Sequence, residues 1–225
     1  MSKRYYIVAA SVLCLTLATA CGSSGSVIGG LIKVASTPTG EPSQPTAPAD
    51  DFKRVGSEAN GLTVAVPREW VALDLTKDDL DEGLRRSGLS GEAMKRAKES
   101  LQILAANNAI WAFDPESMKT SPHRFTTNLN AYCQSGASSS IEQLIGSASK
   151  ELEQLGAKVS EAAPVRIAGS EAARIVYTLP AGNLTVKGTQ FYVPTSDTTC
   201  TVTLSTDKDD RQQLFDQIGE TIRPL

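Results

Sequence analysis

Apolar and polar residues alternate along several segments between residues 62 and 205, with the period of two expected of β-strands that have two different faces. The clearest segment is 198–205, where Cys200, Val202 and Leu204 share one parity and threonine or serine occupies the other. We therefore predict strands at 62–66, 109–113, 127–133, 172–179, 184–193 and 198–205, with a further strand across 158–165.

Four other segments carry apolar residues at helical spacing. The clearest begins with Ser139 and Glu142, which have the spacing of a capping box, and it ends at Gly156. The other three begin near Thr76, near residue 90 and near Asp207. The acidic residues at 78–82 and 207–210 are interpreted as helix-start carboxylates that favour the helix dipole.

The order of these elements predicts an α+β fold. The last strands follow one another with short turns such as 180–183, which favours an antiparallel β-sheet with helices packed on it over a doubly wound parallel sheet. Residues 52–225 contain no internal repeat and no second Pro/Gly-rich break, so we predict a single globular domain with one core.

Residues 1–20 have the pattern of a bacterial secretory signal peptide. Lys3 and Arg4 precede an apolar run, and small residues at 18–20 precede Cys21. The run is shorter than the roughly 20 apolar residues of a transmembrane helix. The small residues ending on a cysteine resemble the lipobox of bacterial lipoproteins. This resemblance implies that Cys21 is lipidated and anchors the chain at the extracytoplasmic face of the cell membrane; secretion with Cys21 as a free thiol is the alternative.

Residues 21–51 are predicted to be the lipidated cysteine and a disordered tether, because glycine, serine, threonine and alanine dominate and four prolines fall between 38 and 48. Such a segment would hold the domain away from the membrane. An apolar patch at 27–34 interrupts it, which we interpret as linker, with contact with the lipid interface as the alternative.

Cys133 and Cys200 both fall in predicted strands, on the parity of apolar neighbours. Two cysteines in an oxidising compartment predict a disulfide, with two buried free thiols as the alternative. Two sulfurs and the chain's one histidine, His123, lack the spacing of metal ligands, so we expect no metal or cofactor.

The charge of the chain argues against nucleic-acid binding. The 22 basic and 25 acidic residues give a net charge of -3, and removal of residues 1–20 with Lys3 and Arg4 would make it -5. Such a chain does not present the basic field that phosphates require.

Catalytic patterns are weak. Ser-x-x-Lys occurs at 147–150 and 205–208, about as often as chance allows, and no Gly-x-Ser-x-Gly turn is present. His123, in a predicted loop, is the base that a serine hydrolase would need. The aromatic residues are predicted to be mainly core, although some could line an apolar pocket for a lipid.

Residues 61–70, Gly-Leu-Thr-Val-Ala-Val-Pro-Arg-Glu-Trp, are similar to the opening of PsbP-like domains, where a strand runs into a Pro-x-x-Trp turn. With the lipid anchor and tether, the chain resembles small actinobacterial lipoproteins that use this fold. The resemblance implies an α/β/α sandwich around an antiparallel sheet. It also implies an accessory or binding module, and no catalytic residue carries over.

The leading hypothesis is therefore a non-enzymatic envelope lipoprotein that binds a protein partner or an envelope lipid. One alternative is an envelope hydrolase that uses carboxylates or His123. The other is a purely structural lipoprotein.

Overall fold

The computed structural model describes residues 50–75, 91, 95, 98, 101, 102, 104–136 and 140–225. The predicted signal peptide, Cys21, the tether up to residue 49 and the predicted helix beginning near Thr76 lie outside these residues.

Ten strands and three α-helices lie wholly within the described part of the chain. The strands are β1 (Phe52–Ser57), β2 (Leu62–Pro67), β3 (Val71–Asp74), β4 (Ile110–Phe113), β5 (Asn128–Ser135), β6 (Lys158–Ile167), β7 (Ser170–Ala181), β8 (Leu184–Pro194), β9 (Thr198–Thr206) and β10 (Arg223–Pro224). The helices are α1 (Ser117–Thr120), α2 (Ile141–Gln154) and α3 (Gln212–Glu220). Residues 91, 95, 98, 101, 102, 104 and 105 are also helical.

The strands form two antiparallel sheets, which confirms the α+β class. Seven strands form the larger sheet in the order β3-β4-β5-β9-β8-β7-β6, and three form the smaller sheet in the order β1-β2-β10. The sequence pattern predicts one sheet, because it does not reveal β1, β3 and β10. These strands are short or lack strict alternation, and β10 contains only two residues.

Two helix starts differ from their predictions. The capping box of α2 is formed by Ser140 and Gln143, one residue later than predicted: the Ser140 hydroxyl accepts from the Gln143 N–H, and the Gln143 side-chain oxygen accepts from the Ser140 N–H. Helix α3 begins at Gln212 after Arg211, whose side chain makes no capping hydrogen bond. The helix therefore begins later than the predicted start near Asp207, and no acidic residue lies in its first turn.

The two faces of the larger sheet are packed differently. One face, with the smaller sheet and α3, encloses the largest apolar cluster, which includes Val64, Leu129, Val202 and Phe215. The other face carries two separate apolar clusters. One contains Trp111 and the helical Leu101 and Leu104; the other contains Ile175, Tyr177 and residues of α2. We call the face of the larger sheet that carries these two clusters the helix-covered face.

Candidate functional site

Cys133 and Cys200 are directly opposite each other in the β5–β9 register and are joined by a disulfide. Their sulfurs lie 1.99 Å apart and their Cα atoms 3.9 Å apart. The disulfide joins β5 to β9, two neighbouring strands at the centre of the larger sheet, on the face that meets the smaller sheet.

The disulfide also packs against the turn that begins β2. Gly61, with φ +74, lies so close that a Cβ at this position would come within 3.1 Å of the Cys133 Sγ. The Gly61 carbonyl accepts a hydrogen bond from the Leu225 N–H at 2.9 Å. The disulfide therefore helps to hold Leu225 and the smaller sheet against the larger sheet.

His123 is exposed, and its neighbour Ser121 has other partners. The Ser121 hydroxyl donates to the Asp207 Oδ2 at 2.5 Å and accepts from the N–H groups of His123 and Phe125. This serine therefore holds the 121–125 loop to the end of β9. A serine nucleophile would instead donate to the histidine base, so Ser121 and His123 do not have the geometry of a nucleophile and its base.

Two further residues from the sequence patterns, one from the Ser-x-x-Lys motif at 147–150 and one from the acidic residues at 207–210, have ordinary surface roles. Ser147 is exposed on α2, and its hydroxyl donates to the Leu144 carbonyl. Asp209 is exposed and pairs with Lys187. Within the described ranges, no group of three or more His, Cys, Asp or Glu side chains could hold a metal ion.

The main polar feature of the helix-covered face is a set of buried uncharged side chains on the three central strands, which we call the polar patch. Its members are Asn128 and Asn130 of β5, Thr201, Thr203 and Ser205 of β9, and Gln190 of β8.

The strand register brings these side chains together. Asn130 pairs with Thr203, which pairs with Gln190 on its other side; Asn128 likewise pairs with Ser205. Residues directly opposite in an antiparallel pair share one face of the sheet. The patch is therefore one continuous surface, and it separates the two apolar clusters of the helix-covered face.

One atom of the polar patch is buried without a hydrogen-bond partner. Asn130 is 3% exposed, and its Oδ1 accepts no hydrogen bond. Gln190 is better satisfied, because it donates to the Thr203 hydroxyl at 3.3 Å and accepts from the Tyr192 hydroxyl at 2.7 Å.

Aromatic side chains and one carboxylate lie beside the patch. Trp111 is the β4 neighbour of Asn130, and its ring centroid lies 4.7 Å from that of Phe113. On the opposite side, burial raises the pKa of the Tyr192 hydroxyl, and the nearby tyrosines and Glu151 add to this shift. Burial also raises the pKa of Glu151 on α2.

The sequence places the residues of the patch on one parity but does not reveal their burial. The threonines of β9 alternate with apolar residues, as expected of a strand whose polar face meets water. Instead both faces of β9 are buried, and Thr203 is 0% exposed. The alternation of Asn128 and Asn130 with Leu129 and Ala131 is the signal that could have indicated the patch.

No helix in the described ranges is long and apolar enough to cross a membrane. No family model matches the sequence, and no match was found among the curated proteins.

Comparison with solved structures gives distant likenesses. A protein from Bacteroides thetaiotaomicron VPI-5482 matches with a TM-score of 0.45 and 12% identity over 78% of this chain, which spans only 49% of that one. The cyanobacterial PsbP of Synechocystis has the same TM-score and identity, with 78% of this chain and 93% of that chain covered.

LpqN of Mycobacterium tuberculosis, described as involved in cell envelope biogenesis, matches with a TM-score of 0.45 and 13% identity. The match covers 80% of this chain and 88% of LpqN. Likenesses at these identities concern the fold alone. No activity or role of this chain is drawn from any of them.

Proposed function

We propose that the chain is a lipid-anchored accessory protein on the extracytoplasmic face of a bacterial membrane, and that it works by binding and not by catalysis. The observation that carries the proposal is the Cys133–Cys200 disulfide, because such bonds form and persist in oxidising compartments. It agrees with the secretory pattern of residues 1–20 and with the lipobox-like residues that end at Cys21.

The anchor and the tether have complementary roles in this proposal. Two or three acyl chains on Cys21 would hold the protein stably on a membrane. The 30 residues of 22–51 would span about 30 Å as a flexible coil, and more in their proline-rich half. With a mature net charge of -5, electrostatics would not press the domain onto anionic lipid.

A binding role is favoured by the helix-covered face. Amide and hydroxyl side chains lie there beside aromatic rings, and the Asn130 Oδ1 has no hydrogen-bond partner; ligand sites are likewise mostly apolar, with a few polar groups that fix orientation. Ser121, by contrast, is engaged with Asp207 and not with an imidazole.

The lipid anchor is tested by metabolic labelling. The full chain is expressed in a bacterium that matures lipoproteins and is grown with an alkyne analogue of palmitate. We expect label on the wild type and on Cys14→Ser, the matched control within the signal peptide, and none on Cys21→Ser. Label that survives Cys21→Ser, or a wild type without label, would contradict the anchor.

The binding role is tested separately by assaying the purified full chain against ester, glycoside and peptide substrates. We expect no turnover that responds to His123→Ala or Asp207→Asn. A turnover abolished by one such substitution in a folded variant would show an enzyme instead.

A further inference from the structure

We propose that Arg54, Thr63 and Arg223 form a surface site for a phosphate group, carried either by a soluble phosphate monoester or by a lipid head. We call Arg54 and Arg223 the arginine pair. The inference gives the proposed binding role a class of ligand and rests on that role, but it does not depend on the lipid anchor. The site lies on the smaller sheet, away from the polar patch.

The arginine pair lies on the solvent side of the smaller sheet. In β2, Leu62 and Val64 are buried in the largest apolar cluster, so Thr63 between them faces away from this cluster. Arg54 of β1 is exposed, and Thr63 and Arg223 are half-buried. A ligand in solution or on a membrane can therefore reach the three side chains.

Hydrogen bonds hold the two arginines beside Thr63. Thr63 is directly opposite Arg223 in the β2–β10 register, and its hydroxyl oxygen accepts from the Arg54 Nη1 at 3.0 Å. The same Nη1 donates at 3.0 Å to the carbonyl of Thr221, two residues before Arg223. The Arg223 Nη1 donates to two backbone carbonyls, at 2.8 and 2.7 Å. Both guanidinium groups are therefore held in place by neutral groups.

The two positive charges of the pair lie together without an acid between them. In the described part of the chain, no carboxylate is within ion-pair distance of Arg54 or Arg223. Partial burial lowers the pKa of the Arg54 guanidinium, and the charge of Arg223 lowers this pKa further. Arg174 is different, because Glu161 and Asp216 pair with it at 2.8 and 2.9 Å. An anion from outside the chain would relieve the repulsion within the arginine pair.

The remaining donors define the ligand. A guanidinium has five N–H donors, and in each member of the pair the hydrogen bonds to the described residues come from Nη1. The Thr63 oxygen accepts from Arg54, so its own O–H can donate to a ligand. A phosphate monoester has a charge of about −2 near pH 7 and three acceptor oxygens. It therefore matches two guanidinium groups and one hydroxyl, whereas a carboxylate would leave one cation without a partner.

The position of the site fits both sources of a phosphate group. β1 is the first strand after the predicted tether, so Arg54 lies close to where the tether would join the domain. On an anchored chain, this side of the domain would lie within reach of lipid phosphates. Soluble monoesters have access to the same side chains, so the experiment has to separate the two sources.

The site is tested by titration calorimetry on the full mature chain, residues 21–225, with Cys21→Ser so that no acyl chain contributes to binding. The titrants, in a Tris buffer of low ionic strength, are glycerol 3-phosphate and, as the carboxylate counterpart, acetate. We expect saturable binding of glycerol 3-phosphate and binding at least tenfold weaker for acetate, because the arginine forks bond phosphate oxygens in pairs.

Vesicles distinguish the two sources of phosphate. Phosphatidylcholine vesicles that contain phosphatidic acid, whose head is a phosphate monoester, are compared with glycerol 3-phosphate at equal accessible phosphate. Tighter binding to these vesicles indicates a lipid head, and equal or weaker binding indicates a soluble monoester. No saturable binding to either one, or equal affinity for glycerol 3-phosphate and acetate, would overturn the proposal.

Three substitutions test whether binding comes from this site. Arg54→Gln and Arg223→Gln should each weaken binding at least tenfold, and Thr63→Val, which keeps the charge, should weaken it severalfold. Arg166→Gln is the matched control, because Arg166 is exposed at the edge of the larger sheet and its guanidinium also donates to a backbone carbonyl, that of Gly169, at 2.9 Å. This control should retain affinity. Equal weakening in all four variants would show general attraction to positive charge and overturn the site.

The site and the anchor can fail separately. Circular dichroism identifies the variants that fold, and Thr63→Val tests the site without a change in charge if an arginine variant does not fold. Phosphate binding that is lost in the site variants supports the inference even if palmitate does not label Cys21. Label on Cys21 without phosphate binding would support the anchor and overturn the site.

Discussion

The ring of Tyr177 lies directly over Gly188, its cross-strand partner in β7 and β8. A Cβ at position 188 would come within 2.1 Å of the Tyr177 Cζ, so glycine is required by contact and not by backbone angle. Gly188→Ala should displace the ring and lower the free energy of unfolding by about 1–3 kcal/mol, the usual cost of overpacking. Urea unfolding followed by circular dichroism measures this change.

Replacement of a different glycine by alanine should instead raise the free energy of unfolding. Gly146 lies inside α2, and a Cβ there would meet nothing within 4 Å. Gly146→Ala should therefore raise the free energy of unfolding by about 0.5–1 kcal/mol through helix propensity. A Gly188→Ala variant as stable as Gly146→Ala would show that Tyr177 moves aside freely.

Removal of the disulfide should have a larger effect. Cys133 and Cys200 are 67 residues apart, and closing a loop of this length stabilises a protein by about 4 kcal/mol on the chain-entropy model. The double variant Cys133→Ala/Cys200→Ala should lose about that much free energy of unfolding. Dithiothreitol should destabilise the wild type by a similar amount and leave the double variant unchanged, and an effect on the double variant would mean that reduction acts elsewhere.

Much of the fold follows from short-range patterns in the sequence. The seven predicted strands all overlap observed ones, because each alternates over five or more residues or lies beside a turn signal. Gly156, with φ +86, ends α2 as its position predicts. The capping box is displaced by one residue, since Ser139 and Ser140 are both serines followed three residues later by Glu142 and Gln143, and spacing alone does not choose between these pairs.

The candidate site is less predictable, because it depends on which strands become neighbours. The parity of Asn130 and Thr203 is visible in the sequence, but their pairing across β5 and β9 joins residues more than 70 positions apart. The fate of Asp207 is similar. The sequence places it at a helix start, whereas its hydrogen-bond partner Ser121 lies 86 residues earlier in the chain.

The Ser121–Asp207 contact predicts different roles for two neighbouring residues. Ser121→Ala removes a hydroxyl that bonds Asp207 and two backbone N–H groups in a buried position, so it should cost about 1–3 kcal/mol of unfolding free energy. His123 is exposed, and His123→Ala should change stability by less than about 0.5 kcal/mol. Thermal unfolding of the two variants side by side checks this, and equal effects would contradict the role given to Ser121.

The raised pKa of Glu151 predicts a pH-dependent effect on stability. Burial raises this pKa above its ordinary value of 4.5, so the folded chain binds the proton more tightly than the unfolded chain. Stability contributed by the protonated carboxyl is therefore present at low pH and is lost as the pH rises through the unfolded and then the folded pKa. Glu151→Gln, which remains neutral, should melt at a higher temperature than the wild type at pH 7, and the difference should disappear near pH 3.

Glu153→Gln on the same helix is the matched control, because this side chain is exposed and the substitution makes the same change in charge. Its melting temperature should stay close to that of the wild type at both pH values. If the two glutamine variants behaved alike at pH 7, the gain would come from the overall negative charge of the chain and not from the buried surroundings of Glu151. A gain confined to Glu151→Gln would show that the partly buried surroundings of Glu151 disfavour its ionised form.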